Sequence, residues 1–234
     1  MTKIALVTGA NRGIGKGFAE FLASRGYFVY AGVRDIETTS RGLPNNIKLI
    51  QLDVENDQSI SSAIELIRGE QGKINLLVNN AGLNKDTATN NHKEQVCALE
   101  SLDRQALLKM FSVNSVSPLM VTKYTIPLMA DDNSFVVNIS SNRASFQDST
   151  NKNANYGYRS SKVAINMATQ CMVMDLPQNI SVFAVHPGSV QTDMNPDGLL
   201  KPIESAEKIY KIIENWQTEL NGKYLNNDGA LFPI

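Results

Sequence analysis

Residues 4–15 read Ile4-Ala5-Leu6-Val7-Thr8-Gly9-Ala10-Asn11-Arg12-Gly13-Ile14-Gly15, an apolar run closed by three glycines in the spacing G-x-x-x-G-x-G. The run is too short and ends too abruptly for a signal peptide, and it reads as a buried first strand. Downstream, Ile14, Phe18, Phe21, Leu22 and Arg25 keep helical spacing, and Gly26 stands where a cap would end the helix. A helix is therefore predicted from Gly13 or Ile14. Glycines between strand and helix let the backbone turn sharply and approach a pyrophosphate, whose charge meets free N–H groups at the helix N-terminus.

Further short apolar runs at 27–33, 47–52, 74–79, 134–140 and 180–185 alternate with amphipathic stretches. Such βαβ alternation, with continuous runs such as Phe135-Val136-Val137-Asn138-Ile139, predicts a Rossmann-type α/β fold. Its doubly wound parallel sheet would be covered by helices on both faces. A chain of 234 residues with 42% hydrophobic content is expected to form a single domain over 1–234. Polar stretches at 84–100 and 143–155 read as surface excursions.

With 22 basic and 23 acidic residues, the net charge is −1, which supplies no broad basic face for nucleic acid or an anionic membrane. No window carries the ~18–20 apolar residues of a membrane span. Cys97 and Cys171 stand far apart, without metal-site or redox spacing, and are expected to be free thiols in a reducing, cytoplasmic setting. His92 has no second ligand near it, so no metal is expected.

The second apolar run ends Gly32-Val33-Arg34. An acid at that place accepts from a ribose 2′-OH, whereas a base pairs with a 2′-phosphate, so Arg34 favours NADP(H). Arg12 is expected to add a second guanidinium on the same side. Asp35 can salt-bridge Arg34 or cap the next helix.

Tyr158 and Lys162 stand four apart at a predicted helix start and share one face. Reducing a carbonyl requires a proton donor, and a phenol near pKa ~10 needs help at neutral pH. An ammonium ~4 Å away, at an effective dielectric of ~20, would lower it by close to three pK units, a role expected of Lys162. Ser141, closing the run Asn138-Ile139-Ser140-Ser141, is expected to hydrogen-bond the substrate oxygen, with Ser140 as its rival. Tyr156 competes with Tyr158, but only Tyr158 has a lysine four residues on.

Taken in order, these residues resemble the short-chain dehydrogenase/reductase family over nearly the whole chain. Residues Thr8–Gly15 are similar to its T-G-x-x-x-G-x-G, Leu52-Asp53-Val54 to its adenine-contacting strand end, and Asn79-Asn80-Ala81-Gly82 to its N-N-A-G. Val113-Asn114 resembles the site of the family's catalytic asparagine, whose main chain helps hold a proton-relaying water. The implied tetrad is Asn114, Ser141, Tyr158 and Lys162. His186-Pro187-Gly188-Ser189-Val190-Gln191-Thr192 is similar to the segment lining the nicotinamide, with Thr192 on its carboxamide. The resemblance implies cofactor contacts from Gly9, Asn11, Arg12, Gly13, Ile14, Gly15, Arg34, Asp53, Val54, Asn80, Ala81, Gly82, Tyr158, Lys162, Pro187, Gly188, Val190 and Thr192.

Within the family, the Asn11-Arg12 loop, the His186-Pro187-Gly188 stretch and the ending Gly222-Lys223-Tyr224…Asp228-Gly229…Phe232-Pro233 look most like C-factor and sniffer-type carbonyl reductases. The chain departs from the family pattern after Ser141, where Asn142-Arg143-Ala144-Ser145 lacks a glycine and seventeen positions lead to Tyr158. That loop walls the pocket, so relatives do not fix the substrate. Arg143, Phe146, Gln147, Tyr156 and Met194 are the expected pocket residues, suited to a modest apolar carbonyl or alcohol. The short loop after Thr192 predicts an open site.

The resemblance implies a homodimer or homotetramer, with Met167, Met172 and Met174 forming either an assembly face or core. Trp216 is expected in the core, and His186 in a structural role. The leading expectation is an NADPH-dependent reductase of ketones or aldehydes, reversible to an alcohol dehydrogenase. The alternative is a dinucleotide-binding sensor without turnover.

Overall fold

The computed structural model describes residues 2–39, 42–84, 99–129, 133–147 and 154–233. His92, Cys97, most of the stretch 84–100 and residues 148–153 of the second excursion lie outside the described residues. Seven strands, β1 (Ile4–Thr8), β2 (Phe28–Val33), β3 (Ile47–Gln51), β4 (Leu76–Asn79), β5 (Ser134–Ile139), β6 (Ile180–His186) and β7 (Tyr224–Asn226), form one sheet in the order β3-β2-β1-β4-β5-β6-β7. Every neighbouring pair is parallel. Six strands match the apolar runs to within two residues. β7 is new, because three residues between a glycine turn and an Asn-Asp-Gly turn carry no periodicity to read.

Alternating side chains of each strand feed two cores. Ala5, Val7, Val29, Ala31, Val137 and Val185 pack with Phe18, Leu22, Ile209 and Tyr210 of helices α1 (Gly13–Ser24) and α6 (Pro202–Glu214). Ile4, Leu6, Tyr30, Leu77, Val136 and Val182 pack with residues of α2 (Asp57–Gln71), α4 (Ser117–Thr125) and α5 (Tyr156–Asp175), including Ile60, Ile64, Val121 and Met172. A shorter helix, α3 (Arg104–Phe111), runs through a π-helical turn, Ser112–Val116, into α4. Trp216 is half-buried against Phe135 and Phe183, at ring distances of 5.2 and 5.4 Å.

The methionine stripe of α5 divides. Met172 is buried, while Met167 and Met174 lie on the opposite, outward face at 61% and 79% exposure. Among the described residues no helix is long and apolar enough to cross a membrane.

Helices α1 and α6 approach so closely that a Cβ on Gly17 would lie 2.5 Å from the Pro202 carbonyl carbon. Backbone cannot yield there, so Gly17→Ala is expected to force the helices apart and cost roughly 1–3 kcal/mol. A urea titration of both proteins would show a lower midpoint for the variant, and equal midpoints would refute the contact.

Candidate active site

Because β1 lies between β2 and β4, the chain reverses direction across the sheet at that point and leaves a crevice beyond the carboxyl ends of the strands. The glycine loop sits in this crevice and is stitched across it. Thr8 Oγ1 accepts from the N–H groups of Asn80 (3.0 Å) and Ala81 (3.1 Å), while Asn80 Nδ2 donates to the carbonyls of Thr8 (2.9 Å) and Gly9 (3.1 Å). The expected contact residue Asn80 thus holds the loop itself. Gly9 adopts φ +64°, and a Cβ there would fall 2.9 Å from Ala81 Cα; one on Gly15 would fall 2.4 Å from Asn80 Nδ2. Side chains are excluded by geometry, which leaves room for a backbone-bound anion. Among the described residues no side chain caps α1 and no acid occupies its first turn, so the helix end stays electropositive.

At the end of β2, Arg34 is exposed and makes no ion pair among the described residues. Asp35 takes neither expected role among the described residues: its Oδ1 accepts from the N–H groups of Glu37 (2.9 Å) and Thr38 (3.4 Å), closing a turn that no helix follows. Arg12 departs from expectation. Its guanidinium pairs with Asp193, 2.5 Å away in the loop after Thr192, so the charge expected for a phosphate is shared with an acid. An extended backbone at Arg12, φ −159°, precedes the helix, and Asp193 is the acid within its reach. Asp53 is half-buried after β3, accepting from Glu55 N–H (3.1 Å), and Val54 packs at the edge of the second core.

The four expected tetrad residues converge beyond β4 and β5. Asn114 is 1% exposed in the π turn. Its amide clasps Leu83, accepting from the N–H and donating to the C=O at 2.8 Å each, and donates to Ser161 Oγ at 3.0 Å. With the side chain so occupied, only the main chain of this turn is open to a role in proton relay, and such π turns recur at functional sites. A Cβ on Gly82 would lie between Asn114 Oδ1 (3.5 Å) and Lys162 Nζ (3.7 Å), which places the second glycine-containing loop against both.

Ser141 is 8% exposed, and its Oγ accepts from the Arg143 N–H at 3.2 Å on the side of the Tyr158 hydroxyl. Its rival Ser140 is buried, and its Oγ has no hydrogen-bond partner among the described residues. Burial pushes the Tyr158 hydroxyl above its ordinary value, and the Ser141 hydrogen bond and the Arg143 charge pull it part of the way back. This corrects the expectation that Lys162 does the lowering. Lys162 Nζ stands 5.8 Å from the Tyr158 ring centre and donates to the Ile139 carbonyl at 2.7 Å, inside a pocket whose burial pushes its own value down to about 8.

Beyond β6, the Pro187 carbonyl accepts from Ser205 Oγ (2.7 Å) and Asn227 Nδ2 (3.2 Å), and Gly188 adopts φ +87° with Asn227 against its open face. Val190 is buried and bridges to Leu200, while Thr192 forms a tight turn with Asn195 and faces Gly13 across the crevice. The expected pocket residues are unevenly placed. Arg143 is half-buried in the 3₁₀ turn Asn142–Ala144, Gln147 is exposed, and Phe146, Met194 and Tyr156 are 71%, 56% and 40% exposed. They form a rim at the mouth more than an enclosing wall. Sequence reasoning missed Thr8 and Ser161 as site-building residues; Thr8 opens the T-G-x-x-x-G-x-G pattern, but the partners that give both hydroxyls their roles lie far along the chain.

Comparison with known proteins agrees with this geometry. A sequence model of the short chain dehydrogenase family matches residues 3–199. C-signal of Myxococcus xanthus is 32% identical, over 69% of this chain and 93% of that protein. The structure of carbonyl reductase Sniffer of D. melanogaster superposes with a TM-score of 0.88 at 28% identity, covering 100% of both chains. An NADPH-bound carbonyl reductase from chicken fatty liver superposes with a TM-score of 0.86 at 27% identity, covering 100% of this chain and 99% of that one. The chain therefore belongs to the short-chain dehydrogenase/reductase family of nicotinamide-dependent oxidoreductases, alongside its C-factor and sniffer-type members.

Proposed function

We propose that this protein is an NADPH-dependent carbonyl reductase, acting on ketones or aldehydes of modest size and apolar character. The observation that carries the reading is the convergence of Ser141, Tyr158 and a buried Lys162 at the sheet end that also holds the glycine cradle. When bound, the nicotinamide supplies hydride to the carbonyl carbon. Tyr158 donates its proton to the carbonyl oxygen as negative charge develops there. Ser141 Oγ holds that same oxygen and keeps it in line with the Tyr158 hydroxyl. Lys162 would hold the nicotinamide ribose, and the Asn114 turn supports the route by which the proton is restored.

Cofactor choice rests on Arg34 and Asp35. With Asp35 committed to its own turn, the charge offered at the end of β2 is the Arg34 guanidinium, which suits a 2′-phosphate. The NADPH-bound neighbour supports the same choice. Fluorescence titration should show NADPH binding at least about tenfold tighter than NADH, a gap of about 1.4 kcal/mol, and Arg34→Ala should remove the difference. Equal or tighter NADH binding would overturn the assignment and put alcohol oxidation first.

The exposed Phe146, Met194 and Tyr156 support an open mouth and an apolar substrate. The outward Met167 and Met174 support assembly into a homodimer or homotetramer through α5. Likeness to C-signal raises a second reading, a dinucleotide-binding signalling protein without turnover. A sensor has no chemical use for a proton donor paired with a buried lysine, which favours the reductase.

A further inference from the structure

The C-terminal stretch from Gly222 to Pro233 is unused by the reaction described so far, yet Tyr224 within it and His186 beside it reach the site. Tyr224, 6% exposed on β7, donates from its hydroxyl to the Ser141 carbonyl at 2.6 Å. From β6, His186 Nδ1 accepts from the Asn142 N–H at 3.1 Å. These two groups belong to the same peptide unit, the one joining Ser141 to Asn142. One plane is thus gripped at its oxygen and at its nitrogen by side chains from adjacent strands, which pair His186 with Asn226 and Ala184 with Tyr224.

Phe232 braces both grips. Its ring lies 5.3 Å from His186 and 5.0 Å from Tyr224, and its N–H donates to the Tyr224 carbonyl at 2.9 Å. A peptide held at both ends restricts ψ of Ser141 and with it the direction of Cβ, while the Arg143 N–H at 3.2 Å holds Oγ itself. The Ala144 N–H also donates to the Ser141 carbonyl, at 2.9 Å, which closes the short turn around the same plane. The 3₁₀ turn after Ser141 thus orients the serine locally, and the side chains from β6 and β7 anchor that turn to the sheet.

We propose that Tyr224 and His186 are positioning residues that clamp the Ser141–Asn142 peptide and so aim Ser141 Oγ at the Tyr158 hydroxyl. The role rests on the reductase reading of the site, whereas the clamp itself is a property of the chain alone. Misplacing a reacting group by a fraction of an ångström costs rate more than affinity. The histidine acts here as an acceptor, so a residue with an acceptor oxygen in the place of Nδ1 can replace it and an alanine cannot.

Two measurements on the intact protein test this. Steady-state kinetics with NADPH and an activated aryl ketone should show kcat lowered about tenfold in Tyr224→Phe and in His186→Ala, with KM and NADPH affinity within about twofold of wild type. His186→Asn, which restores an acceptor, should recover most of the loss. Hydrogen exchange of the cofactor-free proteins should be faster over residues 139–147 in Tyr224→Phe and His186→Ala, with thermal midpoints showing that both remain folded. Unchanged exchange in that segment overturns the clamp. Faster exchange with unchanged kcat overturns its role in positioning. A His186→Asn variant as impaired as the alanine overturns the acceptor role. Wild-type protein that binds NADPH but reduces no carbonyl overturns the reductase reading, and the exchange data then still report separately on the clamp.

Discussion

Tyr158→Phe lowers kcat for carbonyl reduction by about 10³-fold, within the 10²–10⁴ that a positioned general acid contributes, while NADPH binds as tightly as to wild type. The variant removes one oxygen. It leaves the ring, the Lys162 contact and the glycine cradle in place, so a loss of rate without a loss of binding isolates proton donation. The expected remainder comes from hydride proximity alone. NADPH consumption by the variant within a few fold of wild type would show that another group protonates the substrate, with Tyr156, at 40% exposure, the nearest in sequence.

Lys162→Met has two opposed effects. Turnover falls by about 10²-fold, because the ammonium that would hold the nicotinamide ribose in line is gone. Stability of the cofactor-free protein rises. Burial lowers Lys162 from its ordinary 10.5 to about 8, so the unfolded chain binds the extra proton between those values and the folded chain does not. The destabilising cost is therefore present in full below about pH 8 and fades as pH rises toward 10.5. Replacing the charge by an apolar side chain of similar length removes that cost, roughly 1–3 kcal/mol, or several degrees in the thermal midpoint at this chain size. Melts of both proteins at pH 7 and pH 10 check it: the gap should be wide at the lower pH and narrow at the higher. A variant less stable than wild type at pH 7 would mean that the Ile139 hydrogen bond outweighs the burial of the charge.

The same two positions show how far sequence carries. Four-residue spacing on one helix puts Tyr158 and Lys162 on a common face, and G-x-x-x-G-x-G between strand and helix places the anion cradle, because both are local consequences of backbone geometry. Apolar runs locate six of seven strands for the same reason. What local pattern does not encode is which distant group a side chain meets. Arg12 pairs with Asp193, 181 positions away, and Tyr224 bonds Ser141 across 83. The direction of the Tyr158 shift escapes the sequence for that reason too: spacing supplies the lysine, whereas burial decides the direction against the pull of Ser141 and Arg143. Asp35 leaves two roles open in the sequence, and the local turn it closes is neither of them.

The most direct test of the reductase reading follows the hydride itself. Wild-type protein is incubated with NADPH carrying deuterium at the transferable position and with an aryl ketone, and the alcohol is analysed by mass spectrometry. One deuterium on the carbinol carbon, in an amount matching the NADPH consumed, is the predicted result. Cofactor that binds and is recovered intact, with no labelled alcohol from any ketone or aldehyde offered, would contradict it.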